Sequence, residues 1–572
     1  MKKIIIIDGY VDEPTCLGVP PYISPYPRYI AGAIWNADST SSILYYTIDQ
    51  IRKNSKLLPV FNQSDIVILI AGSSVPGRYL SGYPISLNET CHLFELIQKP
   101  TKILAGPSAR YGFSLGGGKT PQPIQNISSS IDVIIKGDPE IVIHEIIKNN
   151  YSIEHIDPLQ KRTSPEDIKN FATKGANIVC QHPFFPSYLI TEIETYRGCS
   201  RSIVGGCSFC SEPEKGIPQF RTIESIIAEI TSLYHYGVRH FRIGNQPCIF
   251  SYQAKDSGKE EFPCPNPDAI ERLFKGIRKS APDLKTLHID NANPGILARY
   301  PKESRLIAQT IIKYHTSGDV AAFGAESVDP IVIKQNNLKA TDDQVLSAIA
   351  LLNEVGGKPG SNGMPELLPG LNFLFGLKGE SKKTFEQNLE FLKHVLDKKL
   401  LLRRINLRQV IPIPHTSMSE IGEKNIKKYK AQFQRFKRKV RQEIEQPMLK
   451  RLIPKGTILR EIFTEIYDGK LTFGRQLGSY PLLIGIPGVF PLHTFYNVAI
   501  VEYGYRSATA IPYPLNINTA QRETLEAIPG IGKKRALRIL AKRPFTNETE
   551  LIESLDDEEI VTQVLTYVNF KI

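Results

Sequence analysis

The chain has 572 residues, of which 41% are hydrophobic and 22% are charged, and its formal net charge is +12. This composition is typical of a soluble protein of several domains, and the basic balance permits a nucleic-acid partner. No stretch approaches the ~20 apolar residues of a membrane span, and the apolar run at residues 4–7 is too short for a signal peptide. The eight cysteines lack the spacing of a secreted disulfide scaffold, so we expect a cytoplasmic protein with no membrane partner.

The first 150 residues alternate short β-rich runs with helical stretches. The runs lie at residues 4–7, 66–71, 102–105 and 131–135. This alternation predicts a Rossmann-like, doubly wound parallel sheet, whose ligands bind beyond the carboxyl ends of the strands. Those ends are Asp8-Gly9, Ala71-Gly72-Ser73-Ser74, Ala105-Gly106-Pro107 and Lys136-Gly137-Asp138. The glycine-rich residues 112–120 have one residue too many for a phosphate-binding loop, and we predict a flexible loop there.

Three cysteines, Cys199, Cys207 and Cys210, lie in a glycine-rich loop near the middle of the chain. Thiolates bind zinc and iron–sulfur clusters, and a structural zinc site normally takes four protein ligands. No fourth Cys or His is close in sequence, which favours a [4Fe–4S] cluster with one iron left open. A structural zinc loop and a group of buried free thiols are the alternatives.

After a connector at residues 151–186, residues 187–420 repeat a strand-then-helix unit. The predicted strands lie near residues 188–195, 238–244, 285–289, 319–324, 371–376 and 404–411. The predicted helices between them lie at residues 223–236, 268–280, 302–314, 342–355 and 381–398, and Thr341 has the character of an N-cap. Such repetition predicts a parallel sheet curling into a partial (β/α)6 barrel, with its active groups at the carboxyl ends of the strands.

The cysteine loop resembles the signature of the radical S-adenosylmethionine (radical SAM) superfamily. That signature is Cys-x3-Cys-x2-Cys with an aromatic residue before the last cysteine, which here is Phe209. The first gap is seven residues in this chain, and it carries two glycines that let it loop out. The order of the surrounding segments matches the family as well. The resemblance implies a [4Fe–4S] cluster, S-adenosylmethionine (SAM), and an electron donor such as ferredoxin or flavodoxin.

The resemblance also implies which residues contact SAM. The family has a Gly-Gly-Glu turn after its second strand, and this chain has Gly244-Asn245-Gln246, with an amide in place of the carboxylate. The further cofactor-contacting residues are predicted at later strand ends, together with the aromatic of the cysteine loop: Glu326, Ser327, Gly376, Arg408 and Phe209. Arg404, Asn406 and Arg408 share one face of the sixth strand by its two-residue period. A salt-bridge network closing the barrel is the alternative for that row.

Residues 1–150 resemble the cobalamin-binding domain that precedes many radical SAM cores. The histidine motif of that domain, Asp-x-His-x-x-Gly, is absent here. Cobalamin binding and a scaffold without cofactor both stay open. Methylthio transfer is disfavoured, because it needs three N-terminal cysteines and the first 150 residues contain Cys16 and Cys91 alone.

Residues 421–452 read as a basic helix with a kink at Pro447. Tyr429, Phe433 and Phe436 recur at helical spacing, so we expect them to face the core. The cations form either a solvated face or a stripe that contacts phosphates. Residues 453–513 have β character and occupy the position of the RNA-gripping TRAM barrel of methylthiotransferases.

Residues 514–572 resemble a helix–hairpin–helix domain. The hairpin is Pro529-Gly530-Ile531-Gly532, and the amides of Gly530 and Gly532 at the start of the next helix favour an anion. With Lys533 and Lys534, they are predicted to grip a phosphodiester without reading bases. A second hairpin is degenerate because its turn, Asp556-Asp557-Glu558-Glu559, is acidic. Docking on protein is the alternative for this domain.

The whole order of domains resembles an archaeal-type group of radical SAM proteins of unassigned substrate. The predicted fold is therefore α/β: a Rossmann-like domain, a partial radical SAM barrel, a small β region and a helical domain. The implied activity is reductive cleavage of SAM to a 5′-deoxyadenosyl radical. The basic balance, the basic helix and the hairpin predict a nucleic-acid substrate, a structured RNA modified at a base by methyl or methylthio transfer, and methyl transfer through cobalamin fits the N-terminal fold better. The rival interpretations are an enzyme acting on a lipid, cofactor precursor or protein, with the hairpin used for docking, and a non-catalytic nucleic-acid-binding iron–sulfur protein. The pattern gives no role to Cys180, Cys248 and Cys264.

Overall fold

The computed structural model describes residues 1–13, 16–72, 80, 82–114, 116–124, 130–555 and 557–571. Ser73 and Ser74 of the predicted ligand edge and Asp556 of the acidic turn lie outside these residues. Along the chain come a parallel α/β sheet, a larger parallel α/β sheet, a β-barrel and a helical region. No helix of the described residues has both the length and the apolar character needed to cross a membrane.

The N-terminal region is a five-stranded parallel sheet in the order β3-β1-β4-β5-β6. Ile4 and Ile6 of β1 pack in one hydrophobic cluster, while Ile5 and Ile7 pack in another, so both faces of the sheet are covered. The strand order reverses beside β1, which places the expected ligand crevice at the carboxyl ends of β1 and β4. The elements are β1 Lys3–Asp8, β2 Tyr22–Ile23, α1 Pro25–Ala37, β3 Ser42–Thr47, α2 Ile48–Lys53, α3 Leu58–Phe61, β4 Ile66–Ile70, α4 Leu87–Leu96, β5 Thr101–Ala105, α5 Pro107–Tyr111, β6 Val133–Ile134 and α6 Pro139–Lys148.

The central region contains all six strands and all five helices that the sequence pattern predicts. Two further short helices, α10 and α12, follow the third and fourth of these strands. Thr341 caps its helix as expected, because its hydroxyl accepts a 3.4 Å hydrogen bond from the backbone N–H of Gln344. The elements are α7 Lys169–Lys174, β7 Ile190–Glu194, β8 Tyr196–Arg197, β9 Gln219–Phe220, α8 Ile223–His235, β10 His240–Gly244, α9 Pro267–Ser280, β11 Thr286–Ile289, β12 Asn291–Ala292, α10 Pro294–Arg299, α11 Pro301–Tyr314, β13 Asp319–Glu326, α12 Pro330–Gln335, α13 Asp342–Gly356, β14 Leu367–Phe375, α14 Lys382–Asp397 and β15 Arg404–Gln409.

The main strands of this region form two four-stranded sheets that continue each other. Their orders are β11-β10-β7-β2 and β12-β13-β14-β15, and every pair in them is parallel. A single residue, Asp290, separates β11 from β12. The result is the predicted partial barrel, with its helices on the outside and its polar side chains collected within.

The N-terminal region reaches into the central sheet. Strand β2 pairs in parallel with β7, with Tyr22 opposite Ile190 and Ile23 opposite Thr191. The segment that leads from β1 to β2 carries Asp12, which is buried. The N-terminal region therefore supplies an edge strand to the central sheet. The segment that carries Asp12 enters the central region as well.

The basic helix after the barrel is interrupted rather than simply bent. It consists of α15 Lys424–Lys428, α16 Lys430–Lys439, a π-helical segment Val440–Glu445 and α17 Gln446–Leu452. Pro447 has no N–H to give to the preceding turn, which accounts for the wider π segment immediately before it. Tyr429, Phe433 and Phe436 are buried as predicted, and the rings of Phe433 and Phe436 each lie 5.1 Å from the ring of Phe375.

Residues 453–513 contain a closed barrel of five strands. These are β16 Ile458–Asp468, β17 Leu471–Gln476, β18 Leu483–Pro487, β19 Phe495–Tyr503 and β20 Ser507–Pro512. They close in the order β16-β17-β18-β20-β19, and every pair is antiparallel except β18 with β20. This is the arrangement of an OB-type Greek-key barrel.

The C-terminal region holds two helical pairs around one hydrophobic cluster. Its elements are β21 Leu515–Asn516, α18 Arg522–Glu526, α19 Lys533–Lys542, α20 Glu548–Leu555, α21 Glu558–Leu565 and β22 Val568–Asn569. Strand β21 pairs with β22, so the start and the end of the region are joined. The helices of the degenerate second hairpin are therefore present and pack against the first.

Candidate functional site

The three cysteines predicted to bind the cluster lie in the loop that follows β7 and β8. The N–H of Cys199 donates to the carbonyl of Gly216 at 3.0 Å, and that of Cys210 to the carbonyl of Cys207 at 3.1 Å. Burial raises the pKa of all three thiols, and the charge of Cys207 raises the pKa of the other two further. Cys207 therefore lies near both of the other thiols.

A cation supports this loop. The guanidinium of Arg201 donates to Sγ of Cys207 at 2.9 Å and to the carbonyl of Asn337 at 2.8 Å. A cationic donor stabilises the thiolate, which is the form that binds iron. In the part of the chain that the structure describes, no three His, Cys, Asp or Glu side chains converge on one metal ion. A cubane cluster requires no such convergence, because each thiolate binds a different iron, so the three cysteines fit a [4Fe–4S] cluster.

The turn after β10 is built on carboxylates from the neighbouring strand β7. A Cβ on Gly244 would lie 1.8 Å from Oε1 of Glu192, so a larger residue does not fit there. The backbone N–H of Asn245 donates to that oxygen at 3.1 Å, and its Nδ2 donates to Oε2 of Glu194 at 2.9 Å. The side chain of Gln246 is fully buried; its Oε1 accepts from the hydroxyl of Thr195, just after β7, and its Nε2 donates to the carbonyl of Ile243 in β10. Of the two amide side chains, that of Asn245 is thus the one partly exposed at the site.

Asn245 lines a crevice between the N-terminal region and the cysteine loop. Its wall runs from Gly106 and Gly137 on the first region to Ser211 on the loop. Several charged groups around it are paired: Arg162 with Glu140 and Glu194, and Arg197 with Asp138. The crevice is therefore a polar, pre-organised space that opens onto the turn of Asn245.

Glu326 and Arg408 come together at the ends of β13 and β15. Burial raises the pKa of Glu326 to about 7, and the cations of Lys339 and Arg408 oppose that rise. Arg408 makes no hydrogen bond or ion pair with any residue that the structure describes. Ser327, by contrast, is occupied, since its hydroxyl donates to Asn388 at 3.4 Å and accepts from the N–H of Asp329 at 3.2 Å. Among the predicted cofactor-contacting residues, Glu326 and Arg408 thus have side chains available to meet a ligand.

Gly376 and Phe209 lie on the far side of the same mouth. The N–H of Gly376, whose φ is +94°, donates to Oε2 of Glu380 at 2.6 Å. Burial raises the pKa of that carboxyl to about 7. Phe209 packs against a hydrophobic cluster that includes Leu377 and Met418. The glycine bend and the aromatic residue therefore form an apolar wall beside the cysteine loop.

Sequence reasoning missed Asp12, which reaches this site from the N-terminal region. It is 3% exposed, and burial raises its pKa to about 7 against the opposing cations of Arg408, Arg242 and Arg404. Its Oδ1 has no hydrogen-bond partner among the described residues. The available signal was an acidic residue shortly after a strand end, but nothing local shows that this loop enters another domain.

The glycine-rich residues 112–120 do not form the predicted flexible loop where the structure describes them. The N–H of Gly118 donates to the carbonyl of Val410 at 3.1 Å, and the N–H of Thr120 donates to Oε1 of Glu423 at 3.1 Å. A bridge between Phe113 and Gln122 closes the base of the loop. The loop is held against the open edge of the central sheet, beside β15.

The predicted nucleic-acid contact lies at the start of α19. Gly532 is the N-cap, and a Cβ there would meet open space; Gly530 has φ +85°. Lys533 and Lys534 are exposed, and neither forms an ion pair in the described chain. Arg535 instead turns back to donate to the carbonyl of Gly530 at 3.0 Å. The hairpin is thus braced by one cation, while two others stay free beside the helix N-terminus.

A second basic surface lies on α15 and α16. Its members share an exposed position on the face opposite the buried aromatic residues: Lys424, Lys427, Lys428, Lys430, Arg435, Arg438 and Lys439. Lys427 pairs with Glu423 at 3.1 Å. We call these seven residues the basic stripe.

Comparison with known proteins identifies two families within the chain. The model of the radical SAM superfamily matches residues 193–392, and the model of the helix–hairpin–helix motif matches residues 514–542. Two archaeal proteins are similar over nearly the full length. "Uncharacterized protein MJ0274" of Methanocaldococcus jannaschii is 49% identical over 89% of this chain and 92% of its own. An "Uncharacterized protein" of Archaeoglobus fulgidus is 41% identical over 96% of this chain and 97% of its own.

Among solved structures, the chain is similar to a radical SAM methyltransferase, TsrM of Kitasatospora setae. The identity is 13%, with 73% of this chain and 75% of that one covered, and the TM-score is 0.45. It is also similar to the cobalamin-dependent radical SAM enzyme OxsB, with 12% identity, 76% of this chain and 56% of that one covered, and a TM-score of 0.46. These values are too low to assign a ligand. The match of the family model to the cysteine loop and the sheet around it shows that residues 193–392 form a radical SAM domain, so the chain is a radical SAM enzyme, and this family implies a [4Fe–4S] cluster and SAM as cofactors.

Proposed function

We propose that this enzyme binds its cluster through Cys199, Cys207 and Cys210 and uses SAM to modify a nucleic acid, at a base of a structured RNA. When bound, the cluster and SAM together supply a 5′-deoxyadenosyl radical that abstracts hydrogen from an unactivated carbon. Nucleic acid is the substrate class that the exposed lysines of α19 and the basic stripe favour.

The carboxyl ends of the strands offer complementary groups for SAM. Asn245, held by Glu192 and Glu194, presents acceptors to the ammonium group of the methionine part. Glu326 accepts hydrogen bonds from the ribose hydroxyls, and Arg408 pairs with the methionine carboxylate. Asn245 is fixed by its two carboxylate neighbours before the cofactor arrives, which lowers the cost of ordering it.

The N-terminal region covers the mouth of the barrel and excludes water from it. The first loop brings the buried Asp12 beside Arg408, and the 112–122 segment closes the edge next to β15 through the bond from Gly118 to Val410. Exclusion of water protects a reactive radical from side reactions. The crevice that opens onto Asn245 is the path left for a substrate.

The open N-terminus of α19 is the observation that carries the nucleic-acid proposal. Backbone N–H groups and the helix dipole favour an anion there, and no side chain blocks the approach to Gly532. Lys533 and Lys534 add two unpaired charges next to it. Phosphate contacts of this kind give affinity without reading sequence. The basic stripe on α15 and α16 supplies a second line of contacts.

The test is charge reversal at the hairpin. The double variant Lys533→Glu, Lys534→Glu is compared with the wild type and with Lys275→Glu, a control at an exposed lysine of α9. Binding of a fluorescent RNA hairpin is measured across a salt series. We expect the hairpin variant to bind much more weakly and to lower the log–log salt slope by about 0.7–0.9 for each lost contact. Equal affinity and equal slope in all three proteins would reject the nucleic-acid role of α19.

The described residues of the N-terminal region do not provide a histidine ligand for cobalamin. The first 150 residues contain two histidines, His92 and His144, and both lie on helices away from the carboxyl edge of the sheet. We therefore derive no step through cobalamin. Methylthio transfer is also not proposed, because the N-terminal region lacks the three cysteines that a second cluster needs.

A further inference from the structure

We infer that the surface beside the cysteine loop is the docking face for reduced ferredoxin, a small acidic protein that gives one electron. This inference rests on the proposed function, since it requires a cluster on Cys199, Cys207 and Cys210. The face consists of Ile203, Val204, Ile331, Lys334, Lys378, Lys382 and Lys383, and we call it the cluster-loop face.

The apolar part of the face comes from the long first gap of the cysteine motif. Ser200–Val204 forms a single 3-10 turn that starts directly after Cys199. Ile203 and Val204, on this turn, are each 45% exposed. Branched aliphatic side chains side by side at the surface mark an interaction site, and the gap that carries them connects two of the cluster ligands.

Hydrogen bonds tie this turn to the neighbouring loops. Nδ2 of Asn337 donates to the carbonyls of Val204 and Gly206 at 3.0 and 2.8 Å, and the preceding Asn336 bonds to Ser208 and to the carbonyl of Lys378. The two asparagines therefore hold the cysteine loop, the end of α12 and the loop after β14 in one rigid surface.

The segments joined by these bonds carry Ile331, Lys334 and Lys378, and Lys382 and Lys383 follow in the chain at the start of α14. Ile331, on α12, is 58% exposed and lies against Gly379, where a Cβ would be 3.2 Å from its Cγ2. The lysines of the face are all exposed, and none forms an ion pair with an acid that the structure describes: Lys334, Lys378, Lys382 and Lys383. An apolar centre with an unpaired cationic rim is complementary to an acidic protein of small size.

The position of the face suits electron transfer. Arg201, from the same 3-10 turn, donates directly to Sγ of Cys207, so a short covalent and hydrogen-bonded path joins the turn to a cluster ligand. One electron leaves ferredoxin, which is oxidised by one unit, and enters the enzyme's cluster, whose charge falls from 2+ to 1+. No bond forms or breaks in this step.

The test measures cluster reduction rather than turnover. The full-length enzyme, reconstituted with iron and sulfide, is mixed anaerobically with reduced ferredoxin, and the visible absorbance of its cluster is followed. The variants are Ile203→Glu and the pair Lys382→Glu, Lys383→Glu, with the pair Lys275→Glu, Lys302→Glu as an equally charged control on the outer helices. Dithionite, a small reductant that needs no docking face, is used in parallel, and bound iron is measured in every protein.

We expect both face variants to keep their iron and to be reduced by dithionite at the rate of the wild type. With ferredoxin, their second-order rate is expected to fall about tenfold or more, and the wild-type rate is expected to fall with added salt. Normal reduction of both variants by ferredoxin would overturn the assignment of the face. A wild-type protein without a reducible cluster would instead reject the proposed function.

Two further outcomes would overturn the identity of the partner. If flavodoxin reduces the wild type and ferredoxin does not, with the same loss in the variants, the face serves a flavin carrier. If the face variants lose RNA binding while ferredoxin reduces them normally, the face is a nucleic-acid surface.

Discussion

The hydroxyl of Tyr480, on the loop between β17 and β18, donates a 2.7 Å hydrogen bond to Oδ1 of Asp290, at the break between β11 and β12. Asp290 pairs with Arg242, whose guanidinium donates to both carboxylate oxygens of Glu192 at 2.8 Å. Glu192 in turn accepts the N–H of Asn245 at 3.1 Å. A continuous chain of polar contacts therefore joins the C-terminal barrel to the turn predicted to hold SAM.

Tyr480→Phe is expected to loosen that turn. Removal of the hydroxyl deprives the buried carboxylate of Asp290 of one hydrogen-bond donor, which costs about 1 kcal/mol. The contacts through Arg242 and Glu192 pass this loss on to the turn at Asn245, which is predicted to bind SAM. We expect about fivefold weaker SAM binding by calorimetry on the reconstituted enzyme. Tyr505→Phe, at an exposed tyrosine of the same barrel, should bind SAM normally. Unchanged SAM affinity in both variants would show that the chain of contacts supports the fold alone.

Alanine at Cys199, Cys207 or Cys210 is expected to remove the cluster. Three irons of the cluster each need a thiolate, so the loss of one cysteine leaves an iron without its protein ligand. Bound iron and visible absorbance should fall sharply in each variant after anaerobic reconstitution. Cys180→Ala, at an exposed cysteine, is the control and should keep both signals. Full iron in all three variants would disprove the assignment.

Glu326→Gln is expected to weaken SAM binding and to remove its pH dependence. Burial raises the pKa of Glu326 to about 7, so the carboxylate that accepts hydrogen bonds forms only as the pH rises through that value. Wild-type affinity, measured by calorimetry, should therefore be higher at pH 8 than at pH 6, while the variant should show no such gain. Glu303→Gln, in the first turn of α11, should behave like the wild type. The same pH dependence in the Glu326 variant would point to another group.

Arg408→Ala is expected to slow the release of 5′-deoxyadenosine from the reduced enzyme. Its guanidinium lies beside Glu326 and has no partner among the described residues, which leaves it free to bind the carboxylate of SAM. Loss of such a charge-assisted contact costs about 1.5–3 kcal/mol, or about tenfold to a hundredfold in rate. Normal release, measured by chromatography, would place the carboxylate of SAM elsewhere.

Asp12→Asn is expected to stabilise the protein at alkaline pH. Burial raises the pKa of Asp12 from its ordinary 3.8 to about 7, so the folded protein binds this proton more tightly than the unfolded chain does. Stability therefore falls as the pH rises from about 4 to about 7, by an amount on the order of a few kcal/mol. The variant should have a higher Tm than the wild type at pH 8 and a smaller gain at pH 5. Asp256→Asn, at an exposed carboxyl, should show no pH-dependent gain.

Phe436→Ala is expected to destabilise the packing of the basic helix without changing its charge. Phe436 is buried, and its ring lies 5.1 Å from that of Phe375 and 5.9 Å from that of Phe385. Truncation of such a ring costs about 3–5 kcal/mol, whereas Lys439→Ala on the exposed face should stay within about 0.5 kcal/mol. Urea unfolding followed by circular dichroism separates the two. Equal midpoints would mean that the aromatic residues are not part of the core.

Much of the central region could be predicted because its signals are local. Short apolar runs between helical stretches predict six parallel strands. The cysteine spacing, together with Phe209, predicts the cluster loop. The hairpin is equally local, since the φ of +85° at Gly530 favours glycine whatever surrounds it. Each of these features depends on residues that are close together in the chain.

The site itself was decided by contacts between residues that are far apart in the chain. The carboxylates beneath Gly244 come from β7 rather than from the turn, Asp12 arrives from another domain, and Tyr480 reaches Asp290 from the C-terminal barrel. A sequence pattern records which face of a strand is polar, but not which partner that face meets. Such partners are fixed only when the sheet closes and buries the polar groups, because burial then makes each unpaired charge costly and selects the arrangement that pairs it.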